Sequence, residues 1–443
     1  MIELARASIR RRTVTFAATF LSLLLGTTLI GSFATLAETS FGEMSSADTD
    51  TLRIIGMIVG GWGALIVLFS VASTLTVSVG QRAEEIGLLR VVGATPGQVR
   101  RLIHLETAAV AVVAAGFGAA LAGPGGRGLF HLLRRGGMVD DAVPFGGTAL
   151  ALAATVLVVV LTALLAAAIT ARRATSGSPL LAVHDERSAA RRMRWWRIAI
   201  GLALVGYGLI MAVITITVTG RSDNPYAAMA TSGSSSILVG IGLATLSPAV
   251  LHHGTRLLRP IVPRGAAGWL AVHHNTRRPH LLGGVLAPVI VLTSAAVGTL
   301  MLVGIDHRTV GQSLPQAAKI NLINNLIAAM ICLFAAVMVL NAYAAVGAGR
   351  RPELDRLRLL GATPILLQAV VAQEAMLTAV VGTTTGLLAS LSTTIPFSVA
   401  RHEGLVPDGQ LWLPPLVMIG AAGLTLAAAL RTTRHRRTAQ GAG

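Results

Sequence analysis

Long runs of apolar residues, separated by short polar segments rich in arginine, follow one another along the whole chain. Ten of these runs have the length, about 20 residues, that a helix needs to cross the hydrocarbon core of a membrane. The pattern therefore predicts an all-α polytopic membrane protein with short outer loops and with both termini on one side. The ten predicted spans lie at about 13–36, 54–79, 104–124, 146–170, 196–219, 234–254, 282–304, 322–347, 372–396 and 411–431.

One charged segment, between the second and third predicted spans, occurs again 268 positions later. Under this offset nine of the 25 positions from Arg82 to Glu106 are identical. A repeat at this separation indicates a duplicated half. The matched pairs are Arg82 and Arg350, Glu85 and Glu353, Leu89 and Leu357, Arg90 and Arg358, Gly93 and Gly361, Ala94 and Ala362, Thr95 and Thr363, Pro96 and Pro364, and Glu106 and Glu374.

The repeat predicts three parts in the chain. An N-terminal four-span unit occupies residues 1–175, and a C-terminal four-span unit occupies residues 263–443. Spans five and six have no counterpart in the repeat, so residues 176–262 form a linker and an inserted helix pair. We expect ten transmembrane helices, arranged as two four-helix units and this pair.

Composition and charge agree with a membrane location. The chain is 53% hydrophobic and 12% charged, against roughly 25% charged in soluble proteins. Of its 36 basic residues, 28 flank the spans on one side and 8 lie on the other. The positive-inside rule puts the basic side, with both termini, in the cytoplasm. The net charge of +17 is therefore assigned to anchoring on anionic membrane lipid and not to nucleic acid, and the preference for arginine over lysine is typical of a GC-rich bacterium.

The repeated segment predicts a helix, a sharp corner and a second helix. Gly93 suits the left-handed position that ends a helix. Thr95 and Pro96 suit the N-cap and first turn of the next helix, and Gln98 completes a capping box. Arg82 can pair with Glu85, three positions on. In the second copy Gly361, Thr363 and Pro364 take the same places, Arg350 and Glu353 form the matching pair, and Leu366 stands where the capping-box glutamine would be.

Two interpretations of this segment remain open from the residues alone: a solvated connector between spans, or a docking surface. The stretch from Glu85 to Pro96, EIGLLRVVGATP, resembles the signature of FtsX-like permease domains of ABC transporters, and residues 353–364 are a looser match. This resemblance implies a coupling helix that contacts a separate ABC ATPase, with two ATPase copies per chain. The contact residues that it implies are Glu85, Ile86, Leu89, Arg90, Gly93, Glu353, Leu357, Arg358 and Gly361.

The outer loops depart from this resemblance. Many members of that family carry a large extracytoplasmic domain between the first two spans, whereas the equivalent loops here, 37–53 and 305–321, are short.

Catalytic chemistry in this chain is not expected. A P-loop needs a Gly-Lys-Ser/Thr sequence, and the single lysine, Lys319, follows Ala318. ATP and Mg²⁺ are therefore expected in the partner ATPase, and this chain is expected to hold no cofactor. The GxGxxG match at 123–128 falls in a predicted outer loop and is interpreted as a flexible turn. No metal site is predicted, because no HExxH motif or Cys/His cluster occurs.

Two carboxylates, Glu106 and Glu374, stand just beyond the two corners. Acidic residues in membrane segments are functional candidates. Four interpretations remain open for them: a role in coupling, structural pairing with an arginine, proton transport, and a surface carboxylate that the dipole of a helix N-terminus stabilises.

The sequence predicts the permease subunit of an ABC transporter, which moves or extrudes a lipophilic compound, a peptide or a lipid-linked substrate. Two alternatives remain. One is a subunit that transmits force to an outer partner protein without transport. The other is an ion-coupled secondary transporter, although such proteins carry charged groups at mid-membrane, where these spans have almost none.

Overall fold

The computed structural model describes residues 13–61, 83–175, 195–222, 227–263, 265–277, 279–309 and 351–440, with Met193 and scattered positions within 64–75 and 325–346. Helices account for nearly all of these residues, and no strand occurs among them. The helices are α1 (Thr13–Thr39), α2 (Ser46–Arg53), α3 (Ala83–Val91), α4 (Pro96–Arg135), α5 (Ala149–Thr175), α6 (Trp195–Thr217), α7 (Ala227–Thr245), α8 (Ser247–Leu258), α9 (Ala266–Arg277), α10 (Pro279–Thr309), α11 (Arg351–Leu359), α12 (Pro364–Ala400) and α13 (Leu413–Gln440). A π-helical turn, Ile54–Val59, follows α2, and a 3-10 turn, Thr219–Arg221, follows α6.

Within the described ranges, eight helices are long and apolar enough to cross a membrane. They correspond to eight of the ten predicted spans, and they confirm an all-α polytopic membrane protein. The two other predicted spans, at 54–79 and 322–347, are described only in part. Residues 1–12 lie outside the described part of the chain. The eight helices are α1, α4, α5, α6, α7, α10, α12 and α13.

The described residues fall into two compact units. The first contains α1 to α5. The second contains α6 to α13, so the inserted pair, α6 and α7, packs with the C-terminal helices.

In the first unit, α1 packs along α4 and α5, and the π-helical turn packs against α1. Two glycines spaced four apart, Gly56 and Gly60, lie at this contact. A Cβ at Gly56 would lie 2.6 Å from the backbone nitrogen of Ala37, and one at Gly60 would lie 2.6 Å from Phe33 Cβ. Any larger side chain at either position would push this segment off α1.

In the second unit, α10 is enclosed by α7, α8, α12 and α13. Small residues allow these helices to approach closely: a Cβ at Gly298 would lie 2.2 Å from Ser236 Oγ, and one at Gly240 would lie 2.0 Å from Ser294 Oγ. Hydroxyl groups join α7 to α12. Thr393 Oγ1 donates to the Ser232 carbonyl at 2.6 Å and accepts from the Ser236 backbone N–H at 2.9 Å.

The third span extends further than the sequence predicted. We expected an outer loop from Gly123 to Pro144, but α4 continues through Pro124 to Arg135. The GxGxxG match is therefore helical, and the prediction of a flexible turn is wrong. Its glycines provide helix packing: a Cβ at Gly126 would lie 2.0 Å from Thr35 Oγ1 on α1.

The sixth span is displaced from its predicted position of 234–254. Helix α7 begins at Ala227 and ends at Thr245, and α8 begins after a break at Leu246. Pro248 stands in the first turn of α8, and a proline there cannot donate the backbone hydrogen bond that would continue α7.

Candidate functional site

The first repeated segment folds into a sharp corner between α3 and α4. Gly93 has a φ of 109°, a conformation that glycine adopts without a steric penalty. The backbone N–H of Ala94 donates to the Leu89 carbonyl at 2.9 Å, and the N–H of Gly93 donates to the Arg90 carbonyl at 3.2 Å. This pair of bonds is a Schellman motif, which satisfies carbonyl groups that the end of α3 would otherwise leave without partners.

The second repeated segment has the same backbone geometry between α11 and α12. Gly361 has a φ of 93°. The N–H of Ala362 donates to the Leu357 carbonyl at 3.0 Å, and the N–H of Gly361 donates to the Arg358 carbonyl at 2.9 Å. Because these are the bonds of the first corner shifted by 268 residues, the repeat preserves a structure as well as a sequence.

Threonine begins the helix after each corner. Thr95 is the N-cap of α4, with the side-chain bond from the Gln98 N–H at 3.3 Å and the returning bond from the Thr95 N–H to Gln98 Oε1 at 2.9 Å. Thr363 is the N-cap of α12 and accepts from the Leu366 N–H at 3.3 Å. The capping box is complete in the first copy alone, as predicted. Pro96 and Pro364 occupy the first turns.

The helix that leads into the first corner, α3, packs against α4 and α5. Ile86 is buried in a cluster with Val99 and Ile103 of α4 and Ala167 and Ala171 of α5. The helix that carries the corner therefore packs on two membrane-spanning helices. Beside it, Arg100 Nε donates to Thr175 Oγ1 at 2.8 Å, which joins the first turns of α4 to the end of α5.

Each corner presents apolar side chains to the outside. In the first corner Val91 and Val92 are exposed, Val92 to 87%. In the second corner Leu359 and Leu360 occupy the equivalent positions, and Leu360 is 83% exposed. These four residues were not among the contact residues predicted from the sequence. The available signal was an apolar pair just before each glycine.

The predicted contact residues divide by exposure. Leu89 is exposed, Arg90 and the second-copy pair Leu357 and Arg358 are half-buried, and Gly93 and Gly361 are exposed at the corner tips. Ile86 is 4% exposed, and its side chain packs against α4 and α5. The side chains of Glu85 and Glu353 lie outside the described part of the structure, as do the predicted ion pairs Arg82–Glu85 and Arg350–Glu353.

The two acidic candidates beyond the corners are both buried. Glu374 Oε1 lies 2.7 Å from Nδ1 of His274, on α9. Glu374 thus has a histidine partner, and the burial of Glu374 and Glu106 contradicts the surface-carboxylate interpretation for both. This contact joins α12 to α9 at a point ten residues beyond Pro364, the proline of the second corner.

One protein-family model matches both of the segments that contain the corners. A model described as FtsX-like permease C-terminal matches residues 57–179 and 325–438, which together make up more than half of the chain. No match to this chain is found among curated proteins.

Proposed function

This chain belongs to the FtsX-like permease family and is a membrane permease component of an ABC-type system, and we propose that its two corners dock an ATPase dimer. The corners then lie on the cytoplasmic side of a bacterial plasma membrane, together with both chain termini. ATP and Mg²⁺ bind in the ATPase chains, and this chain supplies the docking surfaces and the moving helices.

The observation that carries this proposal is the exposed apolar pair at each corner. Val91 with Val92, and Leu359 with Leu360, are held on backbone that two internal hydrogen bonds fix. Exposed apolar groups on a rigid tip form a contact surface that loses little conformational entropy on binding. Burial of one such side chain contributes about 1.5–3 kcal/mol. Arg90 and Arg358 each stand one position before the apolar pair of their corner and supply charge at its rim.

The helices beyond the corners are long enough to transmit force. Helix α4 has 40 residues and α12 has 37, so each is about 55–60 Å long at 1.5 Å per residue. That length exceeds the thickness of a bilayer. A displacement imposed at Thr95 or Thr363 therefore moves a continuous helix that reaches the opposite side of its unit.

Co-purification with an ATPase tests the docking surface. The chain is expressed with an ABC ATPase of the source organism, beginning with any that is encoded beside it, and the complex is isolated through a tag on this chain. Val92→Asp with Leu360→Asp is expected to lower ATPase recovery at least tenfold, because each change puts a charge into an apolar contact. Glu85→Lys with Glu353→Lys tests the two acidic positions that the resemblance implies.

A matched control carries the same two charges elsewhere. Leu405 and Val406 are exposed and lie beyond the C-terminal end of α12, far along the chain from its corner. Leu405→Asp with Val406→Asp is expected to leave ATPase recovery unchanged. If wild type, the corner variant and this control all recover the same amount of ATPase, the corners are not the docking surface.

For the substrate, we propose a lipophilic compound, a peptide or a lipid-linked molecule that is handled within the bilayer. The support is the short outer segments: residues 136–148 and 401–412 leave no room for a folded domain that would capture a soluble substrate. Transport in proteoliposomes that requires ATP and persists without an ion gradient is expected. ATPase activity with no transport, together with co-purification of an outer protein, would instead indicate a subunit that transmits force.

A further inference from the structure

The hairpin formed by α8, the following loop and α9 has an unusual charge composition. Residues 247–280 contain five arginines, five histidines and no aspartate or glutamate. The hairpin joins two candidate spans, α7 and α10, so the chain connectivity holds it at the level of the membrane surface. A segment that is basic throughout at this level complements an anionic surface.

Exposed side chains of the hairpin combine charge with apolar bulk. Arg256 and Arg259 are exposed, and so are Leu257, Ile261 and Trp269, each by more than 60%. The Trp269 ring stacks on the His273 ring with a centroid separation of 4.9 Å. Tryptophan beside arginine is the side-chain combination found at the boundary between lipid headgroups and acyl chains. A soluble acidic partner would account for the arginines but not for the three large apolar side chains exposed beside them.

Contacts within the second unit hold the hairpin in place. His252 Nδ1 lies 3.2 Å from the Thr276 carbonyl oxygen, which joins α8 to α9. His274 contacts Glu374 on α12, so the hairpin lies at the corner end of that helix. A Cβ at Gly268 would lie 2.1 Å from the Pro263 carbonyl oxygen, which shows how closely the loop packs on α9. The exposed arginines and Trp269 therefore project from a fixed base.

We propose that this hairpin binds the headgroups of anionic phospholipids. Arg256 and Arg259 interact with the phosphate and headgroup charge, while Ile261 and Trp269 enter the interface between headgroups and acyl chains. Each basic residue near an anionic bilayer surface strengthens binding about fivefold. This binding is independent of the proposed docking of an ATPase, since the corners and the hairpin use different residues.

Quenching of tryptophan fluorescence by brominated lipid tests the proposal. Full-length protein is reconstituted in phosphatidylcholine vesicles that contain either brominated phosphatidylglycerol or brominated phosphatidylcholine at equal mole fraction. The contribution of Trp269 is the difference between wild type and Trp269→Phe. We expect brominated phosphatidylglycerol to quench this contribution more strongly, and we expect the preference to fall at high salt, because salt screens surface charge.

Two arginine variants isolate the role of charge. Arg256→Gln with Arg259→Gln is expected to lower the preference for phosphatidylglycerol at least fivefold, and Arg256→Lys with Arg259→Lys is expected to retain it. Arg135→Gln with Arg221→Gln removes two arginines that lie near the ends of other spans, and it is expected to have no effect at Trp269. Equal quenching by the two lipids in wild type, or an unchanged preference in the Gln variant, would overturn the proposal.

Discussion

At the scale of single residues, the glycines at the corner tips are open to a clean test. Gly93 and Gly361 have positive φ angles, and no atom lies within 4 Å of a Cβ built on either one. Alanine therefore meets a backbone penalty without a steric clash. We predict that Gly93→Ala and Gly361→Ala each lower the free energy of unfolding by about 1–2 kcal/mol, measured by SDS titration in mixed micelles.

Gly116 provides the control for this prediction. It lies in α4 with equally open surroundings and ordinary helical backbone. Gly116→Ala is expected to leave stability unchanged or to raise it by up to about 1 kcal/mol, because alanine is the better helix former. A similar loss at all three positions would point to a general effect of the added methyl group.

Ion pairs at the far end of α12 make a second prediction at this scale. Arg401 Nη2 contacts Asp306 Oδ1 at 2.5 Å, and both side chains are largely buried. Removal of either partner breaks a buried ion pair, so we predict a loss of about 3 kcal/mol in the free energy of unfolding for Asp306→Ala or Arg401→Ala. Arg134 and Asp141 form a pair in which the arginine is half-buried and the carboxylate is exposed. A double-mutant cycle on this pair should give a coupling below about 1 kcal/mol.

The features of the corners that depend on residues close in sequence could be predicted, and those that depend on distant residues could not. Glycine at a helix end and threonine before proline act through bonds within a few residues, so the sequence was sufficient for Gly93 and Thr95. Which side of a nine-residue helix is buried depends on its neighbours. Ile86 packs on Ala167 and Ala171, some eighty residues away in the chain, and no local pattern indicates that contact.

At the scale of elements, packing decides where helices end. Gly123, Pro124 and Gly126 are poor helix formers by intrinsic propensity, and this composition led to the prediction of a loop. In α4, Gly125 and Gly126 allow close contact with Ser32 and Thr35 of α1, and that contact outweighs the low helix propensity of glycine. Proline and glycine are also better tolerated in membrane helices than in soluble ones. Sequence reasoning thus located the span but not its length.

The hydroxyl of Thr393 gives a prediction for the contact between α7 and α12. It bonds both the Ser232 carbonyl and the Ser236 N–H, the two groups of one helical turn. Thr393→Val keeps the shape of the side chain and removes both bonds. We predict a loss of about 1 kcal/mol in the free energy of unfolding, the usual range for polar contacts between membrane helices.

Thr384→Val is the matched control for that prediction. Thr384 lies on the same helix, is exposed, and bonds carbonyl groups of its own preceding turn. Its replacement should leave stability within about 0.5 kcal/mol of wild type. If both variants are neutral, Thr393 does not hold the inserted pair to the C-terminal unit.

At the scale of the whole molecule, the duplication matters because it places both of the proposed docking surfaces in one chain. Two linked contacts to an ATPase dimer bind far more tightly than one, since the second contact forms within an existing complex. We predict that wild type binds two ATPase copies, that Val92→Asp or Leu360→Asp alone weakens binding by about a hundredfold, and that the double variant binds none. Affinity is measured by titration of the ATPase, and stoichiometry by mass photometry of the complex.

The single-corner variants also distinguish linked corners from independent ones. If the two corners act together on one dimer, either variant should abolish ATP-driven activity even at ATPase concentrations that restore binding, because force would reach only one of the two units. If each corner served its own ATPase, each single variant would retain about half of the activity and would bind one copy with unchanged affinity. That second result would contradict the coupled arrangement while leaving the corners as docking surfaces.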